Sequence, residues 1–247
     1  AKRPRVLGAG SSVSAAADVF YHSINDLCDF EECFGFIADF LEEQDKNIDC
    51  RSIILHSEGK HFCAGADFTK SSFINESDAY GDLYDEAVRL FRTTKPIIAV
   101  IQGAAVGGGL GVALAADFRV ACPESRFSAN FSKLGFHQGF GTTITLPRAV
   151  GAQKAKWMLL TSARLKGKEA FEIGLADYLV EKDNLMEKAL EKAEDLATLG
   201  HPYYMNTKNV YQADVVAKIK EGIEGARPPG PVSYTHLRAH ETRGNRV

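Results

Sequence analysis

Apolar positions along this chain follow two patterns. Leu27, Phe30, Phe34, Ile37 and Leu41 recur at three- and four-residue spacing, which predicts an amphipathic helix over 26–45. Ser52-Ile53-Ile54-Leu55 and Ile97-Ile98-Ala99-Val100-Ile101 are short unbroken apolar runs, the second opened by Pro96 and closed by Gln102-Gly103. Runs of that kind predict strands buried on both faces. Phe118-Arg119-Val120-Ala121 and Phe127-Ser128-Ala129-Asn130 predict two more strands. Helices are predicted over 79–93, 109–115, 142–148, 152–161, 167–174 and 184–199, with Gly174 where a left-handed residue ends a helix. Buried strands separated by helices imply an α/β layered fold, its sheet covered on both faces. No internal repeat with a sequence signature is evident.

Composition narrows this little. The 247 residues are 45% apolar and 25% charged, near the globular average, which excludes a fibre or a disordered tail. No run approaches the roughly 18–20 apolar residues that a membrane-spanning helix needs. Cys28, Cys33, Cys50, Cys63 and Cys122 form no Cys-x-x-Cys pair, which favours reduced thiols over a disulfide framework or structural zinc. The net charge of −3 hides basic ends. Residues 1–17 carry Lys2, Arg3 and Arg5 with no acid and read as an unstructured or foreign leader, a transit peptide being one form of it. Residues 232–247 change composition abruptly after Pro228-Pro229-Gly230-Pro231 and read as a non-native tail, so His236 and His240 receive no metal role. The acidic body between the ends argues against nucleic acid as a partner.

The chemistry gathers in two glycine-bearing turns, each after a predicted strand. They are His61-Phe62-Cys63-Ala64-Gly65-Ala66-Asp67-Phe68 and Gly103-Ala104-Ala105-Val106-Gly107-Gly108-Gly109-Leu110-Gly111. A glycine turn that opens a helix leaves backbone N–H groups unpaired, ready for an oxygen bearing negative charge. A P-loop requires a lysine that Gly108-Gly109-Leu110 lacks. The dinucleotide pattern fails too, because its last glycine falls on Val112 or Leu114. Close helix–strand packing is the competing explanation for some of these glycines.

Four segments in order carry a resemblance. They are H-F-C-A-G-A-D-F (61–68), K-P-I-I-A-V-I-Q-G-A-A-V-G-G-G-L-G-V-A-L-A-A-D-F-R-V-A (95–121), F-S-A-N-F-S-K-L-G-F-H-Q-G-F-G-T-T-I-T-L-P-R-A-V-G (127–151) and A-F-E-I-G-L-A-D-Y-L-V (170–180). Together they resemble the enoyl-CoA hydratase/isomerase, or crotonase, superfamily over about residues 20–200. The resemblance implies a crotonase-like spiral of strand–strand–helix turns over 18–200, and a partial, truncated C-terminal helical region over 201–231. It implies a homotrimer or hexamer in the cytoplasm or in the mitochondrial or peroxisomal matrix. Acyl-CoA is the implied substrate, with coenzyme A arriving inside the thioester and no permanently bound cofactor.

The resemblance also assigns residues. The Ala66 and Gly108 N–H groups would bind the thioester carbonyl oxygen as it becomes an enolate. Removing one such donor from an enzyme costs about 3–4 kcal/mol in barrier. Ala64, Gly65, Asp67 and Phe68 would hold the CoA adenine end, Asp67 doubling as a turn cap. Ser23, in the surviving His22-Ser23-Ile24-Asn25, together with Gly107, Phe131 and Leu134, completes the binding set. Glycines at 107–109 would let the thioester approach closely.

Departures from the family matter as much. Its hydratases carry Glu at the positions of Gly111 and Phe131, and its dienoyl-CoA isomerases an acid at that of Gly139; all three are empty here. Each missing general acid–base group is worth on the order of 10²–10⁴-fold. His137 either shuttles a proton to the enolate carbon, or caps the following helix or packs on Phe140. Gln138 would hold a water or a polar acyl tail, and Cys63 reads as packing, not nucleophile. Glu58 and Asp82 lie near the expected pocket mouth. The functional readings are therefore an isomerase or hydratase supported by His137 or water, a hydrolase or decarboxylase on the same fold, a non-catalytic acyl-CoA-binding or scaffolding homologue, and an RNA-binding protein, which the acidic body disfavours.

Overall fold

The structure, a computed structural model, describes residues 16–21, 30–65, 87–135, 137–199 and 203–226. Its main sheet is parallel throughout. Five strands pair in the order β1 (Ala16–Tyr21), β2 (Ser52–Ser57), β3 (Ile97–Ile101), β5 (Phe118–Ala121) and β8 (Tyr178–Leu179). Every residue of β2 and β3 is buried, as unbroken apolar runs require.

Alternation within those runs sorts the core into two layers. Ile53, Leu55, Ile97, Ala99 and Ile101 face helix α1 (Phe30–Lys46) and helix α2 (Gly108–Ala115). Ile54, Ile98, Val100 and Val120 face the opposite way, onto Leu185, Ala189, Ala193 and Leu196 of helix α6 (Leu185–Ala197). That three- and four-residue spacing is one helical stripe laid along the sheet. The expected sheet covered on both faces is therefore present.

A second sheet gives the spiral its short leg. It joins β4 (Ala104–Val106) to β6 (Arg126–Ser128) in parallel, and β6 to β7 (Arg164–Lys166) antiparallel. Each turn of the chain thus places one strand in the main sheet and one in the small sheet before a helix: β3, β4, α2, then β5, β6 and helices α3 (Thr142–Val150) and α4 (Ala152–Thr161). β7, helix α5 (Gly167–Glu172) and β8 follow.

Four strands escaped the sequence pattern. β4, β7 and β8 are two or three residues long, too short for any period to register. β1 opens with small and polar Ala-Ala-Asp, and starts two residues inside the stretch read as a leader. The spiral also carries a repeat that the sequence reading passed over, Ala116-Asp117-Phe118 against Ala176-Asp177-Tyr178. In each, the aspartate N–H donates to a carbonyl of the preceding sheet strand (Ile97 or Arg119, both 2.9 Å) and its carboxylate accepts from that same residue's N–H (2.7 and 2.8 Å).

The C-terminal part of the described chain is one helix, α7 (Tyr203–Ala226), packed on α3 of its own chain. Val215 and Ile219 enter the core, and Lys208 Nζ is buried between Asp117 Oδ2 and the Lys95 carbonyl, 2.6 Å from each. An Arg148–Asp214 ion pair closes the outer edge. Among the described residues no helix is long and apolar enough to cross a membrane.

Candidate active site

Two backbone ladders bring the glycine turns together. Cys63 N–H donates to the Ala104 carbonyl (2.9 Å) and Val106 N–H to the Cys63 carbonyl (3.0 Å), so the first motif lies as an extra parallel segment beside β4. Gly65, at φ +92°, then turns against Val106, whose carbonyl oxygen stands 3.0 Å from where a Cβ would be. On the other flank Gly107 N–H donates to the Ser128 carbonyl of β6 (2.9 Å). The chain therefore delivers Ala64-Gly65 and Gly107-Gly108 to the same edge of the small sheet.

Gln102 holds the approach to the first turn. Its Nε2 donates to the carbonyls of Ser57 (2.7 Å), Gly59 (3.0 Å) and His61 (3.2 Å), gathering the whole 57–61 bend onto the end of β3. Ala104 N–H donates to His61 Nδ1 (3.3 Å) beside it. Burial, with Lys60 and Arg126 nearby, pushes the His61 imidazole below its ordinary pKa. No role for Gln102 follows from the sequence pattern, although a polar residue ending an apolar strand is the available signal.

Helix α2 starts at Gly108. Leu110 and Gly111 N–H donate back to the Gly107 carbonyl, whereas the Gly108 N–H has no hydrogen-bond partner among the described residues. It is buried, at the positive end of an eight-residue helix, with no acid in the first turn. The neighbouring glycines owe their identity to packing inside the chain. A Cβ on Gly107 would meet Asn130 Oδ1 at 2.9 Å, and one on Gly109 the Cys63 carbonyl at 2.2 Å. Close packing thus accounts for Gly107 and Gly109 without any appeal to an approaching thioester.

The expected binding residues fall in three groups. Ala64, Gly65, Phe131 and Leu134 are half-buried along this edge, and Gly107 and Gly108 are buried. Ser23, Ala66, Asp67, Phe68 and Asp82 lie outside the described residues. His137 is exposed in the loop before α3. Its neighbour Gln138 is committed, donating through Nε2 to Ser132 Oγ (2.9 Å) and to the Leu159 carbonyl (2.8 Å). Cys63 is 4% exposed and burial pushes its thiol up to about 12, which suits packing and not nucleophilic attack.

Position 111 is more than empty. A Cβ there would stand 2.3 Å from Phe140 Cβ, so the helix face one turn beyond Gly108 is already filled by a ring from the loop before α3. Phe140 is 3% exposed, sits at φ +53°, and stacks tilted on Phe34 with centroids 4.7 Å apart. Its flanking glycines, Gly139 and Gly141, were the only hint in the sequence. Among the described residues no group of three His, Cys, Asp or Glu side chains is placed to hold a metal ion.

Known proteins resemble this chain in sequence and fold. The sequence profile of the enoyl-CoA hydratase/isomerase family matches residues 6–227. A probable enoyl-CoA hydratase of Mycobacterium tuberculosis is 35% identical over 181 residues, covering 70% of this chain and 68% of that protein. One from Bacillus subtilis is 32% identical over 197 residues, with 74% and 76% covered. Among solved structures, a probable enoyl-CoA hydratase/isomerase of Mycobacterium abscessus superposes with a TM-score of 0.72 at 26% identity, over 90% of this chain and 88% of that one. An enoyl-CoA hydratase/isomerase of Pseudoalteromonas atlantica reaches 0.79 over 98% of both chains at 23% identity, a likeness of fold. A profile that runs through β1, both glycine turns and α7 leaves one assignment: the chain belongs to the enoyl-CoA hydratase/isomerase family.

Proposed function

We propose that this chain is an acyl-CoA enzyme that stabilises a thioester enolate between two backbone N–H groups, those of Ala66 and Gly108. The observation that carries the proposal is the Gly108 N–H, buried at the start of α2 with no partner among the described residues. A donor left unpaired at such a place is costly unless an acceptor arrives, and the carbonyl oxygen of a thioester is that acceptor. The interaction strengthens as the oxygen gains charge, so it lowers the barrier more than it tightens substrate binding.

In this reading Ala64, Gly65, Asp67 and Phe68, with Ser23, Gly107, Phe131 and Leu134, hold the CoA thioester, and His137 carries the proton to or from the enolate carbon. Exposure of His137 suits exchange of that proton with solvent. A complete C-terminal region would assemble the chain as a homotrimer or hexamer, and light scattering on the purified chain measures that state directly. A second reading is favoured by Phe140, which fills the face beyond Gly108 where a helix-borne base would stand. A decarboxylase or hydrolase uses the same oxyanion site with less need of that base.

Gly108→Pro tests the first reading. Proline is tolerated at the first helical position and deletes the N–H. The variant should keep its helical content and lose on the order of 10²–10³-fold in kcat towards short enoyl-CoA thioesters. Full turnover in a folded Gly108→Pro variant overturns the oxyanion assignment, and full turnover in His137→Ala removes that imidazole from the mechanism. Thioester binding without turnover on enoyl, 3-enoyl or malonyl-type substrates points to a non-catalytic binder.

A further inference from the structure

Phe140 and position 111 compete for one volume. Residue 111 lies three positions after Gly108, hence on the same side of α2 one turn along. It is the nearest place from which that helix could send a side chain towards whatever the Gly108 N–H binds. No side chain fits there, because Phe140 Cβ is 2.3 Å from the site of a Cβ on Gly111. Phe140 takes the space instead, through its Cβ, its Cγ (3.1 Å) and its carbonyl oxygen (3.2 Å).

The ring is held in place from three sides. Phe34 of α1 packs against it at 4.7 Å between centroids. Behind it, Ile219 of α7 closes on Gly141, its Cδ1 only 2.6 Å from where a Cβ on that glycine would be. Ahead of it, Thr142 donates to the Gly139 carbonyl through both Oγ1 (2.8 Å) and N–H (3.1 Å). Between these clamps Phe140 keeps φ at +53°, a backbone region that an aromatic residue holds only when its surroundings impose it. Strain of that sort concentrates at functional sites.

We propose that Phe140 is a specificity-determining residue of the acyl site: it seals the α2 face beyond Gly108 with an apolar ring, excludes both a carboxylate and water from that wall, and so turns the enolate away from water addition. The inference rests on the acyl-CoA reading above. Its substrates are thioesters whose enolate is quenched by a proton alone. In a double-bond shift, a C–H bond breaks at one carbon, the electron pair moves through the enolate, and a proton returns at another carbon with no atom gained. In the loss of carbon dioxide from a 2-carboxy thioester, the C–C bond supplies the pair and one proton replaces the carboxylate.

The test compares this chain with Phe140→Leu, Phe140→Ala and Gly111→Glu/Phe140→Gly, the last because only glycine removes the Cβ that stands 2.3 Å from the site of a Cβ on residue 111. For each, three quantities are measured: binding of crotonyl-CoA by calorimetry, its hydration, and exchange of the C2 hydrogen of butyryl-CoA in heavy water. The wild type should bind and exchange with little hydration. Phe140→Leu should keep that ratio, Phe140→Ala should raise hydration relative to exchange, and the double variant should gain on the order of 10²-fold in hydration. The proposal is overturned by a folded, thioester-binding double variant with no gain, or by a wild type that hydrates faster than Phe140→Ala. Where the double variant does not fold, the hydration-to-exchange ratio of Phe140→Ala decides, and an unchanged ratio overturns it. A wild type that neither binds thioester nor exchanges the C2 hydrogen sinks the acyl-CoA reading itself, a result distinct from all of these.

Discussion

Cys63 is held by its neighbours as firmly as any side chain near the site. Its backbone is paired on both sides to β4, and the α2 backbone passes so near that a Cβ on Gly109 would stand 2.7 Å from the sulfur. Burial raises the thiol to about 12, far above the ordinary value, so almost no thiolate exists at neutral pH. Iodoacetamide at pH 8 should therefore leave Cys63 unlabelled in the native protein and label it fully in denaturant, as read by peptide mapping. Native labelling would mean that the contact between the first motif and α2 opens readily. At this scale the two glycine turns were legible because their backbone roles demand particular residue types. Phe140 was not: nothing in its own identity announces a positive φ, and its meaning appears only when Gly111 is seen across the gap.

Elements were legible in proportion to their length and burial. β2 and β3 announced themselves as apolar runs and α4 at its observed bounds, while strands of two or three residues are fixed by pairing partners remote in sequence. Docking of α7 belongs to that second kind. Lys208 is 5% exposed and reaches Asp117, whose carboxylate also accepts the Ile97 N–H, so one side chain ties the C-terminal helix to the start of β3. Burial, with Asp117 adding to it, also raises the Tyr204 hydroxyl nearby, which keeps that contact neutral. Removing one partner of a buried pair strands the other charge, and Asp117→Ala further orphans a backbone donor. The expected loss is about 3–5 kcal/mol in urea unfolding, with faster amide exchange along α7. Lys208→Met, which leaves Asp117 its backbone partner, should cost less. Equal losses in the two variants would show that the ion pair alone accounts for the effect.

Across the whole molecule the main sheet is sealed on both faces, and the consequence reaches pH behaviour. His56 lies at 8% exposure on β2, between α1 and the first motif, and burial pushes its pKa below 6.5 with Glu58 opposing in part. His61, a few residues on, is shifted the same way. An unfolded chain protonates these imidazoles near pH 6.5, while the folded chain does so only at lower pH, so between those values the unfolded state binds more protons. Stability is therefore complete above about pH 6.5 and declines as pH falls below it, by at most about 1.4 kcal/mol per pH unit for His56. Carboxylates do not blur this window: Glu42 and Asp214 are shifted down from 4.5 and 3.8, so their stabilisation disappears only in more acidic solution. Urea unfolding at pH 7.5, 6.5 and 5.5 reads the slope, and His56→Gln should flatten it, leaving the part due to His61. A slope that His56→Gln leaves untouched would mean that the β2–α1 layer admits a charged imidazole, and that the seal over this face of the sheet yields to solvent before the fold does.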